Sequence, residues 1–288
     1  MAQMEMQAAR QIDEAKLTAR RAAANPWTTR YARFGYIAKG IVYGIIGALA
    51  AKAALGRGGA MTDRNGAIQA IYQQPFGKFL LAIVTIGLFG YALWSWIQAA
   101  LDTENKGHGI KGVVARLGYA VVGFSYAGLA LAALQLVLDK GSGGKSSDAN
   151  AQDWTARLLH APFGVALVVL VGFVALGLAL RQANYAYTAR FKQRLNLLGV
   201  SAQARTGIIV LGRWGMAALG VVFAVVGFFL ISAALRHDPH QAKGLGGALQ
   251  TLAGQPFGPF LLGVVAIGLI AYGVYSLVEA RYRRMVIV

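Results

Sequence analysis

Six stretches of the chain are apolar on every face of a helix: Tyr36 to Leu55, Phe76 to Leu101, Leu117 to Leu138, Pro162 to Leu180, Trp214 to Leu235 and Phe257 to Val278. A soluble core helix keeps a polar face, whereas these runs have none and approach or exceed the length that crosses a bilayer. The pattern predicts an all-α integral membrane protein of six transmembrane helices. Shorter segments with apolar residues at helical spacing precede the second, fourth and sixth runs: Ile68, Ile71 and Tyr72; Leu158 and Leu159; Leu249 and Leu252. They read as helices lying in the interface.

The odd-numbered runs open alike. Arg33, Gly35, Gly40 and Tyr43 correspond to Arg116, Gly118, Gly123 and Tyr126, and to Arg213, Gly215, Gly220 and Phe223, sharing Arg-x-Gly-x4-Gly-x2-aromatic. The even-numbered runs open with Pro-Phe-Gly at Pro75 to Gly77, Pro162 to Gly164 and Pro256 to Gly258, so that arginine and proline lie 42, 46 and 43 residues apart. Three shared features at near-constant spacing mark three tandem helix hairpins, over residues 30–103, 113–188 and 207–283, behind an N-terminal segment 1–29. Two spans per unit give successive units the same orientation, which predicts pseudo-threefold symmetry about the membrane normal. With its Arg-x-Gly-Tyr and Pro-x-Gly elements, the paired-helix unit resembles the bacterial membrane family called domain of unknown function 1206. The resemblance implies a bacterial inner-membrane protein of three units and supplies no activity. The third unit departs from it, with Met216 after Gly215.

Charge orients the predicted bundle. The chain has 28 Lys and Arg against 11 Asp and Glu, a net charge of +17. Of these cations 18 lie in segments on the side of the termini and seven in loops on the other side. The positive-inside rule then places both termini in the cytoplasm and accounts for the basicity without nucleic acid. Anionic lipid headgroups are the expected counter-charge and lipids the expected partners, with another membrane protein as a further candidate. No cysteine is present, which excludes disulfides, thiolate metal sites and a cysteine nucleophile. Residues 1–25 lack an apolar core for a cleavable signal, and their periodicity suggests a solvated or surface-lying helix.

Candidate chemistry is sparse. Gly35, Gly40, Gly118, Gly123, Gly215 and Gly220 suit close helix packing in lipid, where small residues let backbones approach. Pro75, Pro162 and Pro256, with Gly77, Gly164 and Gly258, suit turns into returning helices, the proline being expected in the first helical turn. Arg33, Arg116 and Arg213 would share one depth near the cytoplasmic face. They either converge to hold an anion or lipid headgroup, or snorkel outward as anchors. Lys39, Lys52, Lys78 and Glu279 lie near span ends and are expected to snorkel, leaving the span centres uncharged. His237, Asp238 and His240 form a loop cluster that could touch a metal, but a site needs three or four ligands and two histidines three apart in a loop are more often solvated; His108 and His160 have no identifiable partner. No phosphate loop, catalytic triad or carboxylate pair stands out, and the spans contain no histidine for haem. The chain is therefore read as a non-enzymatic structural or accessory bundle, without metal or cofactor, interacting with lipids or a membrane protein. The alternative is a channel or facilitator for a small solute or anion along the axis between the units.

Overall fold

The computed structural model describes residues 26–59, 61–101, 109–141 and 144–284. Residues 1–25 of the N-terminal segment and His108 lie outside the described residues. Each unit is a long helix, a short helix and a long helix. Unit 1 comprises α1 (Pro26–Ala54), α2 (Arg64–Tyr72) and α3 (Gly77–Leu101). Unit 2 comprises α4 (Ile110–Val137), α5 (Ser147–Leu159) and α6 (Gly164–Thr188), and unit 3 α7 (Ala202–Leu235), α8 (Leu245–Ala253) and α9 (Gly258–Tyr282). The six long helices are each long and apolar enough to cross a membrane. The protein is thus an all-α bundle of six candidate spans in three repeated units. Two faces follow: a terminal face, where the chain enters and leaves the bundle, and an opposite face carrying α2, α5 and α8.

Helices α1 and α7 begin at Pro26 and Ala202, ahead of the Tyr36 and Trp214 that open their apolar runs. Hydropathy marks the stretch that lipid covers, whereas helix formation continues for as long as residues and caps permit. For α7 the cap is the Ser201 hydroxyl, which accepts from Ala204 N at 3.3 Å.

The Pro-Phe-Gly turns also differ from expectation. The returning helices start at Gly77, Gly164 and Gly258, so each proline precedes the helix instead of sitting in its first turn. Gly77 N, Gly164 N and Gly258 N donate to the carbonyls of Gln74, Ala161 and Gln255 at 2.8, 2.9 and 2.7 Å, closing a four-residue turn with proline second. The phenylalanine in third place takes a left-handed φ of 60, 61 and 60° at Phe76, Phe163 and Phe257. A side chain on any of the three glycines would overlap carbonyls of the short helix, those of Tyr72, Leu158 and Ala253.

Adjacent units meet along α3/α4, α6/α7 and α9/α1, and within units α1 packs on α3 and α7 on α9. Among the described residues, α4 and α6 of unit 2 lack a comparable interface. The ring of six helices is therefore open along one flank. The repeat glycines register the difference. A Cβ at Gly35 would lie 2.5 Å from Tyr91 N on α3, and one at Gly215 2.6 Å from Tyr272 Cα on α9. At Gly118, the unit 2 equivalent, no atom comes within 4 Å, and none does at Gly177 on the facing helix. The packing role expected of Gly118 is absent because its hairpin is spread. A Cβ at Gly40 would lie 2.8 Å from Gly273 O, one at Gly123 against the Trp96 ring, and one at Gly220, more loosely, 3.3 Å from Ala179 O. These three face the returning helix of the neighbouring unit, where all interfaces are formed.

The short helices converge by their N-termini. Asp63 caps α2 by accepting from Gly66 N at 2.9 Å, and its other oxygen accepts from Ser147 N at the start of α5. Asp148 Oδ1 accepts from Gly244 N and Gly247 N at 2.6 and 2.9 Å, and Ser147 Oγ from Leu245 N at 3.1 Å, which ties α5 to the start of α8. Two carboxylates thereby satisfy orphan donors where the positive ends of three helix dipoles meet. At the terminal face, Asn196 N donates to Tyr282 O at 2.7 Å and Arg284 N to Arg194 O at 2.9 Å, clasping the linker between units 2 and 3 to the end of α9.

Candidate functional site: a cation-rich cavity open on one flank

Lys39, ten residues into the first candidate span, does not snorkel. Its side chain and that of Glu279 near the end of α9 are 7% and 6% exposed, with Nζ 3.7 Å from Oε2. Glu279 Oε1 also accepts from Arg283 Nη1 at 2.6 Å. One carboxylate therefore serves two buried cations, joining unit 1 to unit 3. The Lys39 ammonium lies 5.6, 5.3 and 4.6 Å from the ring centres of Tyr36, Tyr91 and Tyr272, within range of cation–π attraction. Edge-on contacts of 5.1 Å for Tyr36–Tyr91 and 4.5 Å for Tyr91–Tyr126 carry this aromatic wall from unit 1 into unit 2. Towards the short helices, Arg64 donates to Ser125 Oγ at 3.1 Å, and its guanidinium lies 5.5 Å from the Tyr126 ring centre.

These groups border a cavity of about 1070 Å³ bounded by all three units, at the upper end of the roughly 300–1,000 Å³ usual for small-molecule pockets. Six cationic side chains line it (Lys39, Arg64, Lys145, Arg181, Arg194 and Arg283) against two acids, Asp63 and Glu279. Both acids already accept hydrogen bonds and Lys145 is paired with Asp153, and the positive excess that remains favours an anion. At the terminal face Arg181 and Arg194 lie 5.3 and 5.5 Å from the ring centre of Tyr185, and both donate to its hydroxyl, at 3.5 and 3.2 Å. The flank left open between α4 and α6 also borders the cavity, through Val121, Phe124, Leu131 and Leu178. A ligand with a polar head and an apolar body matches both surfaces.

Repetition with divergence produces this site. In the repeat register Lys39 corresponds to Val122 and Leu219, and Glu279 to Gln98 and Tyr185. A charge where the sister units carry apolar or neutral residues was the available sequence signal. The signal is weak because span-end cations usually reach water, and the 240-residue separation hides the pairing.

The arginines singled out from the repeat lie elsewhere. None of Arg33, Arg116 and Arg213 lines the cavity. Arg116 donates to Ala99 O and Ala100 O at 2.6 and 3.0 Å at the end of α3, and Arg213 to Tyr187 O at 3.2 Å at the end of α6. Both place a cation at the negative end of the neighbouring unit's helix. Arg33 is exposed. In the loop after α7, His237 holds a left-handed φ of 53°, and Asp238 accepts from His240 N at 3.0 Å and Gln241 Nε2 at 3.2 Å. Among the described residues no three His, Cys, Asp or Glu side chains gather as metal ligands.

The family model described as Domain of Unknown Function (DUF1206) matches residues 34–102, 117–189 and 214–283, one match per unit. The chain is 36% identical over 260 residues to "Uncharacterized protein YxxB" of Bacillus subtilis (strain 168), covering 90% of this chain and 93% of that protein. No solved structure matches it. With most of its length matched three times in tandem, the chain belongs to the Domain of Unknown Function 1206 family.

Proposed function

We propose that the protein is a non-enzymatic membrane component that binds an anionic amphiphile, a lipid bearing a phosphate or carboxylate head. The head lies among the cavity cations and the apolar chains leave through the open flank of unit 2. In this reading the protein sits in the bacterial inner membrane with its termini and the Arg181–Arg194 end in the cytoplasm, as the basic bias of the terminal segments suggests. The observation that carries the proposal is the missing α4/α6 interface, which opens a cation-lined cavity towards the space that lipid would fill. The convergence of α2, α5 and α8 supports it over an axial solute channel, because their joined N-termini lie across the path between the units. Catalysis has little support: the buried carboxylate of Glu279 is committed to Lys39 and Arg283.

Native mass spectrometry of the purified chain tests the proposal with three probes: phosphatidylglycerol, phosphatidylcholine and inorganic phosphate. Retention of phosphatidylglycerol several-fold above phosphatidylcholine, reduced in Arg181→Gln and Lys39→Met, is expected. Equal retention of both lipids would refute a head-group site. Capture of phosphate with no lipid preference would point to a free anion and against the amphiphile.

A further inference from the structure

We propose that the open flank of unit 2 is a groove along which the head group of the bound lipid passes between the two leaflets, so that the protein exchanges lipid passively across the membrane. This rests on the binding reading above and adds a route to it. The first support is extent. On α4 the cavity wall runs from Tyr119 to Gln135, which at 1.5 Å per residue is about 24 Å of a hydrocarbon layer about 30 Å thick.

The second support is the chemistry along that wall. Near the terminal face the route passes Arg181, Gln182 and Tyr119; at mid-height lie Ser125, Tyr126 and Arg64; near the short helices lie Gln135 and Asn150. Ser125 and Gln135 are exposed on a helix that is otherwise apolar outside, where a polar group costs free energy in hydrocarbon unless it is partnered; Ser125 Oγ accepts from Arg64, and its hydroxyl hydrogen can still be donated. A passing head group would hydrogen-bond to them in turn. Arg181 and Arg194 at the terminal end and Arg64 at mid-height give an anionic head a positive environment over that part of the route, and Gln135 and Asn150 offer it hydrogen bonds beyond, while its chains stay in lipid beside Val121, Phe124 and Leu131.

The third support is that the corresponding seams are shut. In unit 1 Gly35 abuts Tyr91 and Gly87 abuts Ala38; in unit 3 Gly215 abuts Tyr272 and Gly268 abuts Ala218. In unit 2, Gly118 and Gly177 meet nothing within 4 Å. The chain shows no nucleotide-binding motif, and the exchange needs none, since a passive route only equalises the leaflets.

The test uses the full chain in vesicles of phosphatidylcholine and phosphatidylglycerol containing a trace of fluorescent phosphatidylglycerol in both leaflets, with dithionite added outside. Without protein, bleaching stops once the outer leaflet is consumed. With the protein it should continue into the inner-leaflet pool, and Gly128→Leu, an apolar block at mid-height of α4 where an added Cβ meets nothing within 4 Å, should slow that phase several-fold while phosphatidylglycerol retention persists. Melting of the variant and a second block, Gly128→Trp, guard against a folding defect. Bleaching that stops at the outer leaflet, with lipid binding intact, overturns the route and leaves the binding site standing. Bleaching of a soluble dye trapped inside the vesicles overturns it too, because the reagent itself is then crossing. Loss of both binding and exchange in the parent would refute both readings.

Discussion

Each Pro-Phe-Gly turn places a phenylalanine where glycine would be at ease. Phe76, Phe163 and Phe257 hold φ near +60° and are 85, 86 and 84% exposed, so no protein contact compensates the strain. A left-handed conformation costs a bulky residue about 1–3 kcal/mol. Lipid at the interface is the environment that would repay three exposed rings, as for aromatic belts generally. In detergent, where that benefit is blunted, Phe163→Gly should melt no lower than the parent. Strain relief then outweighs the greater freedom glycine gives the unfolded chain, about 0.5–1 kcal/mol. Gly164→Ala should melt clearly lower, since its methyl would overlap the Leu158 carbonyl. A marked fall for Phe163→Gly would show that the ring packs within the fold after all. The turn was legible in the residue types, but the left-handed phenylalanine was not: a type II geometry normally announces itself by glycine in third place, and here glycine comes one position later, where the short helix presses on the backbone.

At the level of helices, one sequence motif meets two environments. Gly35 and Gly118 hold the same place in Arg-x-Gly, yet the first touches the α3 backbone and the second touches nothing. Leucine at Gly35 must push α1 and α3 apart, and overpacking of this kind costs about 1–3 kcal/mol. Gly35→Leu should therefore lower the melting temperature of the purified protein by several degrees, while Gly118→Leu should leave it near the parent value. Equal destabilisation by both would mean that the second hairpin closes in solution. The six spans, the three short helices and the three units were all legible, because apolar length and repeated spacing are properties of contiguous sequence. The open seam was not. Nothing in the Arg116 motif distinguishes a closed hairpin from a spread one, and α4 and α6 keep their interfaces with α3 and α7 either way. The arginines illustrate the same limit: their shared position was visible, but that Arg116 and Arg213 would turn to a neighbouring helix terminus depended on which helices became neighbours.

Across the whole molecule, the first and last units are held together by charge as well as by small residues. Gly40 and Gly47 on α1 bring its backbone against Gly273 and Ala266 of α9, and Lys39, Glu279 and Arg283 lie in the same interface. A buried pair adds little net stability over apolar residues of like size, because both charges had to be desolvated, whereas removing one partner strands the other at about 3–5 kcal/mol. The triad makes this asymmetry testable. Glu279→Gln removes the carboxylate that both buried cations share and should lower the melting temperature most. Lys39→Met should cost less, since Glu279 keeps its 2.6 Å bond to Arg283. In the double variant Lys39→Met/Glu279→Gln only Arg283 remains charged, with a glutamine amide oxygen still able to accept from it. The double variant should therefore melt above Glu279→Gln alone, a positive coupling that two independent sites could not produce. If it melts at or below Glu279→Gln, Lys39 is not held by that carboxylate, and its charge must be balanced by something else that enters the cavity.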